Sequence, residues 1–287
     1  MTHAQPIHPD ADVGLVKLKV SELARSIDFY REVVGLTLLS RSETEAELGA
    51  VEGGAPLLAL EELAKAVMPR RRTAGLYHFA ILVPDRRALG LALKRLIRAG
   101  IRIGQADHLV SEALYIDDPD GNGIEIYRDR PRSEWPRDSD GGIRMATDPI
   151  DWEGLLAEAG GDESDALPAG TKMGHVHLHV SSLEEAHRFY CEGLGFELVL
   201  NFGGSALFVS AGGYHHHLGL NTWAGVGAPP TPANAPGLSY YTLAFPDAAA
   251  REDAAAGLRA VGASVQTERD AWFATDPSGN RIRLVVA

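Results

Sequence analysis

Between His108 and Glu125 the chain reads His-Leu-Val-Ser-Glu-Ala-Leu-Tyr-Ile-Asp-Asp-Pro-Asp-Gly-Asn-Gly-Ile-Glu, setting an imidazole, a phenol and a carboxylate around one polar turn. Asp118-Pro119-Asp120-Gly121-Asn122 is strongly turn-forming, and residues 113–116 and 123–127 on either side are rich in β-formers. The pattern predicts a hairpin that brings Tyr115 and Glu125 together. Ile124 and Ile126 flank Glu125, so on a strand the carboxylate faces away from both. By itself that describes a solvent-facing glutamate on a half-buried strand. A chemical role requires partners from elsewhere in the chain.

An internal repeat supplies them. Gly14-Leu-Val-Lys-Leu-Lys-Val20, then Ala24-Arg-Ser-Ile-Asp-Phe-Tyr30 and Val34-Gly-Leu36, recurs as Gly174-His-Val-His-Leu-His-Val180, Glu184-Glu-Ala-His-Arg-Phe-Tyr190 and Leu194-Gly-Phe196, offset by 160 residues. Asp118-Pro-Asp-Gly-Asn122 recurs as Asp276-Pro-Ser-Gly-Asn280. Four modules follow, 14–60, 76–128, 173–222 and 238–286, each reading β-α-β-β-β. In the second, Leu89, Leu93, Leu96 and Ile97 recur at helical spacing. The expected fold is α+β, with four βαβββ modules paired into two curved-sheet half-barrels. Along the chain the division is 10–130 for the first pair of modules, 131–172 for an acidic connector with a short helix near 150–159, and 173–287 for the second pair. One module is too small to enclose a site, whereas two side by side form a sheet with a cleft.

Aligned on their first strands, the modules place His78 and His175 at equivalent positions, where the first and fourth have Leu15 and Tyr240. On the last strands Glu125 aligns with Arg283. Two imidazoles and a carboxylate make the facial triad of a non-haem Fe(II) enzyme, and the same donors suit Mn(II) or Zn(II). His175, His177 and His179 alternate and so share a face, with His177 the alternative ligand if the register slips. His215, His216 and His217 end the third module in what reads as a strand leading inward, where one could serve as acid or base near the metal.

These residues carry a resemblance. His108, then Leu114-Tyr115, Asp118-Pro119, Gly121 and Glu125, resembles the signature of extradiol ring-cleaving dioxygenases, closest to the compact bacterial catechol 2,3-dioxygenases. The βαβββ modules resemble the wider vicinal-oxygen-chelate superfamily over nearly the whole chain outside the connector. The resemblance implies His78, His175 and Glu125 as metal ligands, and Tyr115 as a hydrogen-bond partner of a substrate or ligand oxygen. It implies His108 as a pocket histidine behind the ligands, and His216, or secondarily His217, as the acid/base. It further implies Fe(II) (or Mn(II)), and an aromatic diol of the catechol type with O2 as substrates. The expected reaction is meta cleavage to a 2-hydroxymuconic semialdehyde-type product, by a homo-oligomer in aromatic hydrocarbon catabolism. Two features depart from the pattern. Ala106 stands where glycine is usual, and the fourth module offers Tyr240 and Arg283 where better-known two-domain members have ligands. The site must then combine the second and third modules, so those two are expected to share one half-barrel and the first and fourth the other. Two rivals on the same fold are a metal-free small-molecule-binding resistance protein, which needs no inward His/His/Glu set, and a glyoxalase-type isomerase or lyase, which needs neither His108 nor Tyr115.

Bulk properties narrow the partners. The 287 residues and 45% hydrophobic content suit a globular protein with a full core, and no apolar run reaches membrane-spanning length. A net charge of -12 disfavours a nucleic-acid partner. One cysteine, Cys191, excludes an intrachain disulfide, and with no signal-peptide pattern the expected compartment is the cytoplasm.

Overall fold

The computed structural model describes residues 5–68, 72–268 and 271–287. The first module runs β1 (Asp12–Val20), α1 (Leu23–Phe29), β2 (Thr37–Arg41), β3 (Glu45–Gly49) and β4 (Pro56–Glu62). The second is β5 (Gly75–Leu82), α2 (Arg86–Arg98), β6 (Gly104–Asp107), β7 (Ser111–Asp117) and β8 (Gly123–Asp129). After α3 (Trp152–Ala159) in the connector, the third is β9 (Lys172–His179), α4 (Leu183–His187), β10 (Glu197–Phe202), β11 (Ala206–Ser210) and β12 (Leu218–Asn221). The fourth is β13 (Gly237–Phe245), α5 (Ala248–Ala260), β14 (Val265–Glu268), β15 (Ala271–Thr275) and β16 (Arg281–Val286). Each module is β-α-β-β-β, and its last strand runs parallel to its first where the register is β5–β8, β9–β12 or β13–β16.

Two eight-stranded sheets result. One orders β14-β15-β16-β13-β1-β4-β3-β2, and the other β10-β11-β12-β9-β5-β8-β7-β6. The fourth and first modules therefore share a sheet, as do the third and second, which is the pairing that the ligand arithmetic requires.

By compactness the chain divides into two units, one of Leu18–Ala66 with His78–Met173, the other built around Gly174–Ala287. Within the first, Asp118 caps its own turn, accepting from the Asp120 and Asn122 amides (2.9 and 2.8 Å) and from the Asn122 side chain (2.8 Å). Buried Tyr30 donates its hydroxyl to the same carboxylate at 2.9 Å. Within the second, Asp276 is bonded in the same way by Ser278, Asn280 and Tyr190. Burial raises the pKa of both aspartates despite these donors.

The connector is more than a spacer. Its helix α3 packs on α2, and a Cβ added at Gly90 would lie 2.2 Å from the Leu155 carbonyl oxygen, so only glycine permits this approach. Arg86 joins the connector to the strands, bonding Asp151 at 2.9 Å and buried Glu112 at 3.0 Å. Two expectations need correction. Ile97 is 45% exposed while Leu89, Leu93 and Leu96 are fully buried. Eight residues of helix turn about 80° past Leu89, which carries Ile97 off the apolar stripe. Residues 215–217 lie in the loop before β12 and in no strand, because Gly212 and Gly213 turn the chain at φ 58° and 67°. Strand alternation therefore does not sort these histidines, and all three are buried.

Candidate metal centre

The parallel return of β8 beside β5 builds the first half of the site. Ala80 lies opposite Glu125 in the β5–β8 register, and His78 precedes Ala80 by two, so the imidazole and carboxylate emerge on the same face. His78 Nε2 and Glu125 Oε2 are 3.1 Å apart, and the residues are 6% and 2% exposed. Across the hairpin, Tyr115 pairs with Glu125, as the turn at 118–122 predicted. The Tyr115 ring is 5.6 Å from the His78 ring. His108 Nε2 lies 2.7 Å from the Tyr115 hydroxyl, and its Nδ1 lies 2.7 Å from the Ala146 carbonyl. A carbonyl only accepts, so Nδ1 carries a proton; in the neutral ring Nε2 then accepts from the phenol.

On β9, His175 is 1% exposed and its ring centroid is 4.2 Å from that of His216. The Nδ1 atoms of His215 and His216 are 2.8 Å apart, so one of them holds the shared proton. His217 is otherwise engaged. Its Nδ1 accepts from the Ala211 amide at 3.1 Å, and its Nε2 is 3.6 Å from Asp12. His177 packs against Phe208, Trp223 and Tyr77, at ring distances of 5.5, 5.4 and 5.1 Å. Gly219 makes room for it, since a Cβ there would come within 2.7 Å of the His177 ring.

Among the described residues, one ligand atom from each of His78, Glu125 and His175 lies within 4.8 Å of the others, and all three are buried. The donor set suits a divalent cation. Bonds of about 2.1 Å at right angles separate neighbouring donors by about 3.0 Å, close to the His78–Glu125 spacing. Sequence reasoning missed the Ala146 carbonyl, because a backbone acceptor leaves no mark in residue type. It also missed Glu112, buried between Arg86 and Arg128. A charged residue in a run of strand-formers was the only signal for it.

Modules, paired sheets and a buried His/His/Glu group define a class. The chain belongs to the glyoxalase/bleomycin resistance protein/dioxygenase superfamily, whose family model matches residues 13–126 and 172–284. It is 52% identical over 283 residues to the catechol-2,3-dioxygenase of Bacillus subtilis (strain 168), covering 98% of this chain and 99% of that protein. The fold is similar to a solved putative dioxygenase from Bacillus subtilis subsp. subtilis str. 168 (TM-score 0.67, 17% identity, 99% of this chain and 86% of that one). It is also similar to glyoxalase I from Zea mays (TM-score 0.55, 17% identity, 96% and 92%). No helix among the described residues is long and apolar enough to cross a membrane.

Proposed function

We propose that the protein is an extradiol dioxygenase that cleaves catechol or a substituted catechol with O2 at the meta position, using one Fe(II) held by His78, His175 and Glu125. The observation that carries this reading is the buried His/His/Glu group with a Tyr115–His108 pair beside it. The 52% relative spans the same length and is named for the same reaction. Mn(II) suits the same donors.

The bound ion would supply a Lewis-acidic centre with open positions for the diol and O2. With two neutral imidazoles and one carboxylate it keeps a net positive charge, which favours an anionic diol. Tyr115 donates its hydroxyl hydrogen bond to His108 Nε2 and so turns an oxygen lone pair toward the site, where it would accept a hydrogen bond from a substrate hydroxyl. His216, whose ring lies against His175, would hold or deliver a proton at the reacting oxygens. His217 has Nδ1 on the Ala211 amide and Nε2 near Asp12, whereas the His216 ring lies against His175, which favours His216 for that role. The same reading makes the protein a cytoplasmic homo-oligomer. A metal-free binding protein of this fold would have no use for buried Glu125.

The test is reconstitution with Fe(II) without oxygen, followed by catechol and then air. A yellow ring-fission product that appears only after air supports the proposal. Product formed without O2, or none with full iron loading, refutes it. Reconstitution with Mn(II) in parallel decides between the ions.

A further inference from the structure

We propose that the connector forms part of the working site, with residues 146–148 positioning His108 and, through it, Tyr115. The proposal rests on the reading above, in which Tyr115 meets the substrate.

His108 stands at the turn between β6 and β7. The turn is tight. His108 N donates to the Ser111 carbonyl at 2.8 Å, and Leu109 takes a left-handed φ of 68°. Leucine rarely adopts that conformation, and it persists only where surroundings enforce it. The enforcement comes from outside the turn. The Leu109 amide donates to Asp107 Oδ1 at 2.8 Å. Arg130 grips the same Asp107 carboxylate with two bonds of 2.7 and 2.8 Å. The connector adds an antiparallel bridge, with Asp107 N to Asp148 O at 2.8 Å and Asp148 N to Asp107 O at 3.0 Å. Beyond the bridge, Ala146 N donates to the His108 carbonyl at 3.3 Å, while the Ala146 carbonyl accepts from His108 Nδ1–H at 2.7 Å.

Ala146 thus contacts His108 through both backbone and side chain. The bond to Nδ1 fixes the ring's rotation and its tautomer together, leaving Nε2 as a lone pair aimed at the Tyr115 hydroxyl 2.7 Å away. Without that carbonyl either nitrogen could carry the proton. The Nε2–H form would donate to Tyr115, leaving the phenol proton pointing into the site where the substrate hydroxyl needs an acceptor. Ala146 is therefore a positioning residue. Its side chain is immaterial, which explains why residue type does not mark it.

The experiment uses the full chain with isotope-labelled histidine, loaded with diamagnetic Zn(II), the His108 signals being assigned with His108→Gln. The expected wild-type tautomer is protonated at Nδ1. Next, Ala146→Gly with Thr147→Gly loosens the connector backbone while leaving the His108, Tyr115 and ligand side chains in place. That double variant should shift His108 toward a tautomer mixture and lower kcat for catechol about tenfold at unchanged KM and iron content. In a second variant, His108→Asn keeps a donor for the Ala146 carbonyl but is too short to set its amide oxygen where Nε2 meets Tyr115, so it should hold wild-type Tm and lose kcat. Nδ1 unprotonated in the wild type, an unshifted tautomer in the glycine variant, or iron lost in step with activity would each overturn the proposal. A wild type without activity toward catechol would refute the proposed function and leave the tautomer measurement standing.

Discussion

The Asp118 turn and its counterpart at Asp276 permit a paired experiment that separates stability from chemistry. Asp118, 5% exposed, accepts four hydrogen bonds, from two backbone amides, the Asn122 side chain and the Tyr30 hydroxyl. Asp276, 4% exposed, accepts the equivalent four from Ser278, Asn280 and Tyr190. Each bond to a charged acceptor contributes about 1.5–3 kcal/mol, but four sharing one carboxylate do not add independently. Substitution by alanine leaves a buried phenol and two amides without an acceptor, so either Asp118→Ala or Asp276→Ala should cost about 3–5 kcal/mol. For a chain of this length that lowers Tm by roughly 10 °C. The functional effects should differ. A single cross-strand pair, Ile116–Ile124, separates Asp117–Gly123, next to the Asp118 turn, from Tyr115–Glu125. Fraying there displaces a ligand, so Asp118→Ala should weaken iron binding about tenfold. The Asp276 turn ends on a strand that carries Arg283, so Asp276→Ala should leave iron binding unchanged. Calorimetry with iron titration below both transitions reads the two effects separately. Equal loss of iron affinity in both variants, or a cost under about 1 kcal/mol for Asp118→Ala, would refute the reasoning. The pH dependence follows from burial, which raises the Asp118 pKa above that of the unfolded chain, about 3.9. Between those values the folded state binds more protons, so stability from this group falls as pH rises through the window. Asp118→Asn cannot titrate, so the wild type's advantage over it should be largest near the acid end and decline upward.

Glu125→Ala removes the only carboxylate of the ligand group and should abolish iron retention on gel filtration together with activity. Gly90→Ala forces α3 away from α2 and should lower stability by about 1–3 kcal/mol in urea unfolding, with kcat little changed. Burial pushes the Cys191 thiol pKa up to about 12, so it should resist alkylation at pH 8 until denaturant unfolds the chain. His216→Ala should lower kcat with little change in Tm, whereas His217→Ala strips the Ala211 amide of its acceptor and should lower Tm.

Much of this was legible in the residues. The repeat and the two turns located all four modules, and period-two alternation set Glu125 on the same hairpin face as Tyr115. Aligning the modules on their first strands selected His78 and His175 from eleven histidines. Where the pattern failed, the cause was local. Residues 215–217 look like strand, and two glycines upstream convert them to loop. Residues 131–172 have a linker's composition, yet Asp148 and Ala146 bond β6 and the turn after it through backbone groups that every residue possesses.

The sequence by itself singled out the proposed donors, because coordination and proton transfer depend on residue type, and type is written directly. It also determined the hairpin that joins Glu125 to Tyr115, because that contact is made within one turn. Tertiary structure decided which modules share a sheet, placing the third and second together in the order β12-β9-β5-β8. Four similar modules have similar edges, so no strand-pairing signal distinguishes the pairings, and only the positions of the donor side chains pointed to this one. Tertiary structure also decided the tautomer of His108, since a single carbonyl 38 residues along the chain selects it.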